Sequence, residues 1–411
     1  MPKTRSVIPW LLLWAASCTS SAPVGGGGEG GSGGGSVEEP SVGSGGSGAG
    51  AGASGEPLDA GSAGRGGGGF HPEPKDAASD GPSWGAGDGM KSSVGTEGDG
   101  DFTIGPTYLA HPDVFAKANN PRGKIYKFAL ASQGTLFDGL DKSLAPANQH
   151  AFSRNVWLYV PQQYRDGDAA PFMVVQDGEW LVEDVKNTLD NLIAGKKVPV
   201  VLAVLVHNGG GDGQDSERGL EYDTMSERYA RFIDANVLPA ARNQPAVKAD
   251  YPNLRFTEDP EGRATYGCSS GGSAALSQGW FAPQRYRRII TYSGTFVSQQ
   301  DNQGIKAPEA AAYPYGAWEY HSDKALIANN AIKPLRVFLN VGENDLNLDA
   351  RAGDMRHNWI VANQRTAAAL RNKGYHYRFV FAKGAGHCDS SVRRATLPDT
   401  LTWMWRGYEA P

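Results

Sequence analysis

The chain has 411 residues, of which 55 are glycine, and its formal net charge is −5 at pH 7. This acidic balance, without a basic stripe, argues against a nucleic-acid partner. The three cysteines and eight histidines show neither a Cys-x-x-Cys pair nor the spacing of metal ligands. We therefore expect no metal and no other cofactor.

The first residues have the pattern of an export signal. Two basic residues precede an apolar run at residues 7–16, which is too short to span a bilayer but suits a signal-peptide core. The run leads to small residues and then Cys18, as in a bacterial lipobox. We expect residues 1–18 to be a signal peptide with lipidation at Cys18, which would anchor the protein at the periplasmic or outer-membrane face of a bacterial envelope. The alternative is simple export, with cleavage near Ala16 and a secreted product.

Residues 19–100 consist largely of glycine, serine and other small residues. They offer few apolar side chains to bury, so burial cannot offset the chain entropy lost on ordering. We expect this segment to be a flexible tether. Residues 101–411 are long enough for one globular domain, which we expect to be a monomer that contacts a membrane only through the lipid anchor.

The globular part begins with strand patterns. Residues 123–130 and 155–161 alternate apolar and polar side chains, as half-buried strands do. Residues 171–178 and 198–208 are continuous apolar runs, which indicate strands buried on both faces.

Helical and strand patterns then alternate to the end of the chain. Helical spacing is found at residues 180–194, 226–241 and 358–373 and in a closing segment rich in Trp and Leu, whereas strand patterns recur at 263–267, 287–294, 335–342 and 377–384. This alternation predicts an α/β fold with a mainly parallel sheet and helices on both faces, and the first two strands suit an antiparallel edge.

Gly267-Cys268-Ser269-Ser270-Gly271 matches the G-x-S-x-G pattern of a nucleophile elbow. Such a serine sits on a tight strand-to-helix turn, which small flanking residues permit. We predict Ser269 as the nucleophile and the N–H of Ser270 as one oxyanion donor, at the start of a helix. The second donor is expected in the loop at residues 176–180, where Gly178 and Glu179 are the candidates.

His387 follows the last predicted strand in the sequence GAGHCD. Small residues at the carboxyl end of a strand allow an imidazole to lean toward the nucleophile. His387 is also last in the order serine, acid, histidine, which favours it over the other histidines as the general base.

The acid is expected after the strand at residues 335–342. Two carboxylates follow that strand, and we favour Asp345 over Glu343 as the triad acid. Asp349 and Asp354 are further alternatives.

Cys268 precedes the predicted nucleophile and Cys388 follows the predicted base. If Ser269 and His387 lie within hydrogen-bond reach, their neighbours lie within the distance that a disulfide requires. We therefore predict a Cys268–Cys388 disulfide, which also suits an oxidising compartment. The alternative is two free, buried thiols.

Substrate contacts are less clearly marked. Trp180 and Trp318 lie in loops or at loop edges, where an exposed ring could stack on a substrate, although core packing is the alternative. Arg218 lies in a predicted polar loop after a central strand, where ligands of α/β proteins bind. A surface ion pair is its alternative role.

The motifs, taken together and in this order, resemble the enterochelin-esterase and esterase-D group of α/β-hydrolases, which includes bacterial feruloyl esterases. The resemblance extends over residues 120–408 through NVWLYVP, VVQDGEW, GCSSGG, VGEND and GAGH. It implies an α/β-hydrolase fold with Ser269, His387 and Asp345 as the triad. The paired cysteines are similar to the Cys-Ser…Asp…His-Cys signature of tannases and fungal feruloyl esterases, and to a bridge of glucuronoyl esterases.

The predicted function is hydrolysis of a carboxylic ester through an acyl-enzyme intermediate. The substrate would be a small-molecule or polysaccharide-linked ester, such as a siderophore ester or a feruloyl or acetyl ester of a cell wall. The alternative from another class is a non-catalytic surface-binding module that keeps a hydrolase fold.

Overall fold

A computed structural model of the chain describes residues 96–213, 215–299, 311–346 and 355–409. The predicted signal peptide, Cys18 and nearly all of the predicted tether lie outside the described residues. Asp349 and Asp354, the further alternatives for the acid, also lie outside them.

Within the described residues, nine strands form one sheet in the order β1-β11-β10-β9-β8-β5-β6-β3-β2, and two short strands, β4 and β7, form a separate pair. The strands are β1 (Gly100–Ile104), β2 (Lys124–Ala131), β3 (Ser153–Val160), β4 (Ala169–Ala170), β5 (Phe172–Gln176), β6 (Leu202–Val206), β7 (Arg255–Phe256), β8 (Arg263–Cys268), β9 (Arg288–Tyr292), β10 (Arg336–Gly342) and β11 (His376–Ala382).

The pairing within the large sheet is mainly parallel. β3 runs antiparallel to both β2 and β6, whereas the other neighbours pair in parallel. The central strands β5, β6 and β9 are buried along their whole length. The predicted mainly parallel sheet with an antiparallel edge is therefore confirmed.

Nine α-helices lie in the described part of the chain. They are α1 (Val182–Ala194), α2 (Glu217–Tyr222), α3 (Arg228–Phe232), α4 (Leu238–Arg242), α5 (Pro245–Asp250), α6 (Ser270–Phe281), α7 (Leu326–Asn329), α8 (Trp359–Lys373) and α9 (Ser390–Met404).

The helices cover both faces of the sheet. α1 and α9 contribute Leu189 and Leu401 to a buried cluster on one face. The other face carries two clusters, one with residues of α2 to α6 and the other with residues of α6, α7 and α8. The sheet is therefore buried between two layers, and its loops at the carboxyl ends of the parallel strands are left to form a site.

Three local predictions differ from the structure. β1 was not expected as a strand, yet it extends the sheet by pairing with β11. The segment around Arg218, predicted to be a loop, forms the short helix α2, and Ser216 caps its amino end by accepting from the N–H of Gly219. The predicted helix 226–241 is divided, because a π-helical turn at Ile233–Val237 separates α3 from α4.

Candidate active site

Ser269 lies on the sharp turn between β8 and α6. Its backbone has φ 57° and ψ −130°, a strained conformation for a residue with a side chain. The turn is so tight that a Cβ atom at Gly267 would lie 2.1 Å from the carbonyl oxygen of Gly271. The backbone N–H of Ser269 donates to the carbonyl of Tyr292 at 3.0 Å. The sequence pattern and this geometry together agree with a nucleophile elbow.

His387 and Asp345 form a close pair. Nδ1 of His387 lies 2.6 Å from Oδ1 of Asp345, whose side chain is fully buried. Glu343, the alternative acid, is exposed and accepts from the N–H of Gly384 at 2.8 Å. The structure thus brings Asp345 to the histidine and places Glu343 in a turn.

The hydroxyl of Ser269 does not bond directly to His387. Across the described residues its contact is Oγ1 of Thr295 at 3.4 Å, and no hydrogen bond joins it to the imidazole. Trp359 packs edge-on against His387, with ring centroids 5.9 Å apart, and its Nε1 donates to Thr295 at 3.3 Å. Ser269 and His387 are therefore linked through Thr295 and Trp359. A hydrogen bond between a catalytic serine and its histidine often tightens only when substrate is bound.

A disulfide joins Cys268 to Cys388, with the Cα atoms 6.0 Å apart. The predicted pairing is therefore confirmed, and the alternative of two free thiols is wrong. The bridge links the residue before Ser269 to the residue after His387. It holds the elbow and the histidine loop together across 120 positions of sequence.

The loop after β5 reaches the first turn of α6. Asp177 adopts a left-handed conformation with φ 50° and precedes a 3₁₀ turn at Gly178–Leu181. Only glycine fits at Gly178, since a Cβ there would lie 2.4 Å from Cβ of Leu205. A Cβ at Gly271 would lie 3.4 Å from Oδ2 of Asp177. The predicted oxyanion donors therefore belong to neighbouring segments, and their role remains a prediction.

Arg218 holds this loop. Its Nη2 lies 2.8 Å from Oδ2 of Asp177, and its Nη1 lies 2.7 Å from Oδ1 of Asp212. Asn208 donates to the other oxygen of Asp177 at 2.6 Å, and the hydroxyl of Tyr222 accepts from the N–H of Asp177 at 3.2 Å. The guanidinium thus forms the ion pair that was its alternative role, and its predicted substrate contact remains a prediction.

The two tryptophans differ. Trp180 follows Glu179 in the 3₁₀ turn and is 77% exposed. Trp318 is 5% exposed, and its Nε1 donates to Asp323 at 2.8 Å. Trp318 is therefore a core residue and the prediction that it contacts substrate is wrong, whereas Trp180 remains a candidate.

Sequence reasoning missed several residues at the site. Ser293 and Thr295 follow β9, and Asp223 follows α2. Asp223 accepts from the hydroxyls of Ser270 and Ser273, and burial raises its pKa to about 7. Ser293 lies near the carboxyl end of the strand predicted at residues 287–294, where sites of α/β proteins form, and that position was the available signal.

The fold and the arrangement of these side chains define an α/β-hydrolase, with a serine elbow and a His–Asp pair at the carboxyl edge of the sheet. No group of three or more His, Cys, Asp or Glu side chains able to hold a metal ion occurs within the ranges that the structure describes. In the same ranges, no helix is both long and apolar enough to cross a membrane.

The sequence model of the family described as putative esterase matches residues 149–404, and the chain belongs to this family. Membership confirms the esterase class that the motifs predict. The iron(III) enterobactin esterase of Dickeya dadantii is 30% identical over an alignment of 270 residues that covers 62% of this chain and 52% of the relative. The match therefore spans about half the length of that curated relative.

Solved structures of similar proteins were also found. The enterobactin esterase of Shigella flexneri matches with a TM-score of 0.44 and 18% identity, over 70% of this chain and 61% of its own. A ferulic acid esterase matches with a TM-score of 0.46 and 18% identity, over 70% of this chain and 99% of its own. The feruloyl esterase module of Clostridium thermocellum matches with a TM-score of 0.44 and 15% identity, over 79% and 98%.

Proposed function

We propose that this protein is a serine esterase that cleaves carboxylic esters through an acyl-enzyme intermediate. The observation that carries the proposal is the 2.6 Å contact between His387 Nδ1 and Asp345 Oδ1, on a loop that a disulfide ties to the Ser269 elbow. Membership of the putative esterase family supports the same reaction class.

In this mechanism the hydroxyl of Ser269 attacks the ester carbonyl, and Nε2 of His387 takes its proton. Asp345 holds the Nδ1–H tautomer and stabilises the imidazolium that forms. The N–H of Ser270 and an N–H of Gly178 or Glu179 would bind the oxyanion. The imidazolium then protonates the leaving alcohol, and water attacks the acyl-enzyme by the reverse sequence of proton transfers.

The proposed substrate is a siderophore ester or a feruloyl or acetyl ester. The name of the Dickeya dadantii relative supports a siderophore ester. The exposed ring of Trp180 beside the loop after β5 suits the aromatic group of a siderophore ester or of a feruloyl ester. Rates measured on iron(III) enterobactin, methyl ferulate and p-nitrophenyl acetate would separate these substrates. Hydrolysis of p-nitrophenyl acetate alone would contradict the preference for an aromatic substrate.

We also propose that the protein is exported and carries a lipid on Cys18. Cys268 and Cys388 are bonded to each other, so Cys18 is the remaining cysteine of the chain. Cys18→Ala should move the full-length protein from the membrane fraction to the soluble fraction. Retention of this variant in the membrane fraction would argue against the anchor.

The reaction class is tested with a fluorophosphonate probe, which labels an activated serine. We expect the wild-type chain to be labelled and Ser269→Ala to lose both labelling and ester hydrolysis. Ser273→Ala is a matched control, because Ser273 lies one turn further along α6 with its hydroxyl bonded to the carbonyl of Ser270. An unlabelled wild type would favour the non-catalytic binding module.

A further inference from the structure

Residues 292–295, the last residue of β9 and the turn after it, contact Ser269, Asp345 and the residue that follows His387. The carbonyl of Tyr292 accepts from the N–H of Ser269, and the N–H of Thr295 donates to the carbonyl of Ser269, both at 3.0 Å. The same turn therefore fixes the backbone of the nucleophile from both sides.

Ser293 connects this turn to Asp345 and to the loop that carries His387. Its hydroxyl donates to Oδ2 of Asp345 at 2.6 Å and accepts from the N–H of Cys388 at 3.0 Å. Cys388 directly follows His387. One hydroxyl thus donates a hydrogen bond to the acid and accepts one from the loop that carries the base.

The surroundings leave this hydroxyl little freedom. Ser293 is 1% exposed, and its N–H donates to the carbonyl of Asn340 at 2.7 Å. Ser293 and Cys388 both have left-handed backbones, with φ 47° and 52°. Residues with side chains hold such conformations only where the surrounding structure fixes them.

We propose that Ser293 is a positioning residue that aligns the acid and the base of the triad. The inference rests on the proposed function. The bond to Oδ2 fixes the rotation of the Asp345 carboxylate, so that Oδ1 faces Nδ1 of His387. The bond from Cys388 fixes the loop on the other side of the imidazole. Ser293 itself touches no reacting atom.

The test uses Ser293→Gly and Ser293→Ala in the full chain. Glycine suits the left-handed backbone at this position, so its variant removes the hydroxyl without adding strain. Ser298→Ala is the matched control, because Ser298 is fully buried in the segment that follows and its hydroxyl has no hydrogen-bond partner among the described residues. Melting temperature and a count of free thiols show whether each variant folds with its disulfide intact.

Both Ser293 variants should lower kcat by between about 10- and 100-fold, with KM changed less than about twofold, because misalignment is felt in the transition state. A purely structural role would lower the melting temperature and leave the kcat of the folded protein unchanged.

A folded Ser293→Gly protein with the wild-type kcat would overturn the proposal, as would an equal loss of kcat in Ser298→Ala. Failure of the proposed function looks different. There the wild-type chain itself would neither react with the fluorophosphonate probe nor hydrolyse esters, and the inference about Ser293 would fall with it.

Discussion

Buried charges differ between the two ends of the parallel strands, which we call the amino edge and the carboxyl edge of the sheet. At the amino edge, Glu261 is 2% exposed and lies 3.1 Å from Nη2 of Arg288 and 3.3 Å from Nη1 of Arg287. Arg288 also donates to the carbonyls of Glu261 and Met404. These charges are fixed in a closed set of contacts.

At the carboxyl edge, strained backbone accompanies the charges. Asp177, Ser269, Ser293 and Cys388 all have positive φ, and none of them is glycine. Their side chains include the proposed nucleophile, the pair partner of Arg218 and the proposed positioning serine. Strain of this kind costs stability and is retained where function needs a fixed geometry. We infer that the charges at the amino ends of the strands contribute stability, whereas those at the carboxyl ends serve the chemistry.

The largest expected effect comes from Asp345→Asn at the carboxyl edge. Asparagine keeps the shape but cannot hold the Nδ1–H tautomer of His387, so kcat should fall by about 10⁴-fold. Glu343→Gln is the matched control and should remain within about twofold of wild type, because Glu343 contacts the N–H of Gly384 and not the imidazole. Steady-state kinetics on p-nitrophenyl acetate measures both. The reverse ranking would make Glu343 the acid.

Glu261→Gln should lower stability and leave catalysis unchanged. It leaves the buried guanidinium of Arg288 without its countercharge, which should lower the free energy of unfolding by about 3–5 kcal/mol. The kcat of the folded protein should not change. Glu258→Gln, at an exposed position nearby, should change the unfolding free energy by less than about 0.5 kcal/mol. Urea denaturation and kinetics together would contradict the division of roles if Glu261→Gln lowered kcat at unchanged stability.

Much of the fold could be predicted from local patterns. The two-sided apolar strands, the elbow and the order of its partners are each encoded in short stretches of sequence. The disulfide could also be predicted, because Cys268 and Cys388 adjoin residues that chemistry requires to be close. β1 was missed because five residues are too few for their alternation to stand out, and the segment becomes a strand by pairing with β11.

The rest of the site depends on contacts between distant loops. α2 has six residues, too few for helical periodicity to be visible, so Arg218 was predicted to lie in a loop. Its partner Asp177 lies 41 positions away, and nothing in either segment specifies the other. Ser293 likewise gains its role from the meeting of the turns after β9, β10 and β11. Residue propensities and apolar patterns predict helices and strands, whereas these contacts between side chains form only when the sheet is assembled.

The smallest of these effects is expected for Arg218→Gln, which tests how the loop after β5 is held. Loss of the bond to Asp177 should let that loop shift, and the oxyanion donors would then be misplaced in the transition state. We expect kcat to fall by about 10-fold with little change in KM. Arg231→Gln is the matched control, since Arg231 is exposed on α3 and its partner Glu227 lies 3.9 Å away. A raised KM at constant kcat would instead mean that Arg218 binds substrate, as the sequence predicts. The loop after β5 would then not belong to the strained segments of the carboxyl edge that serve the chemistry.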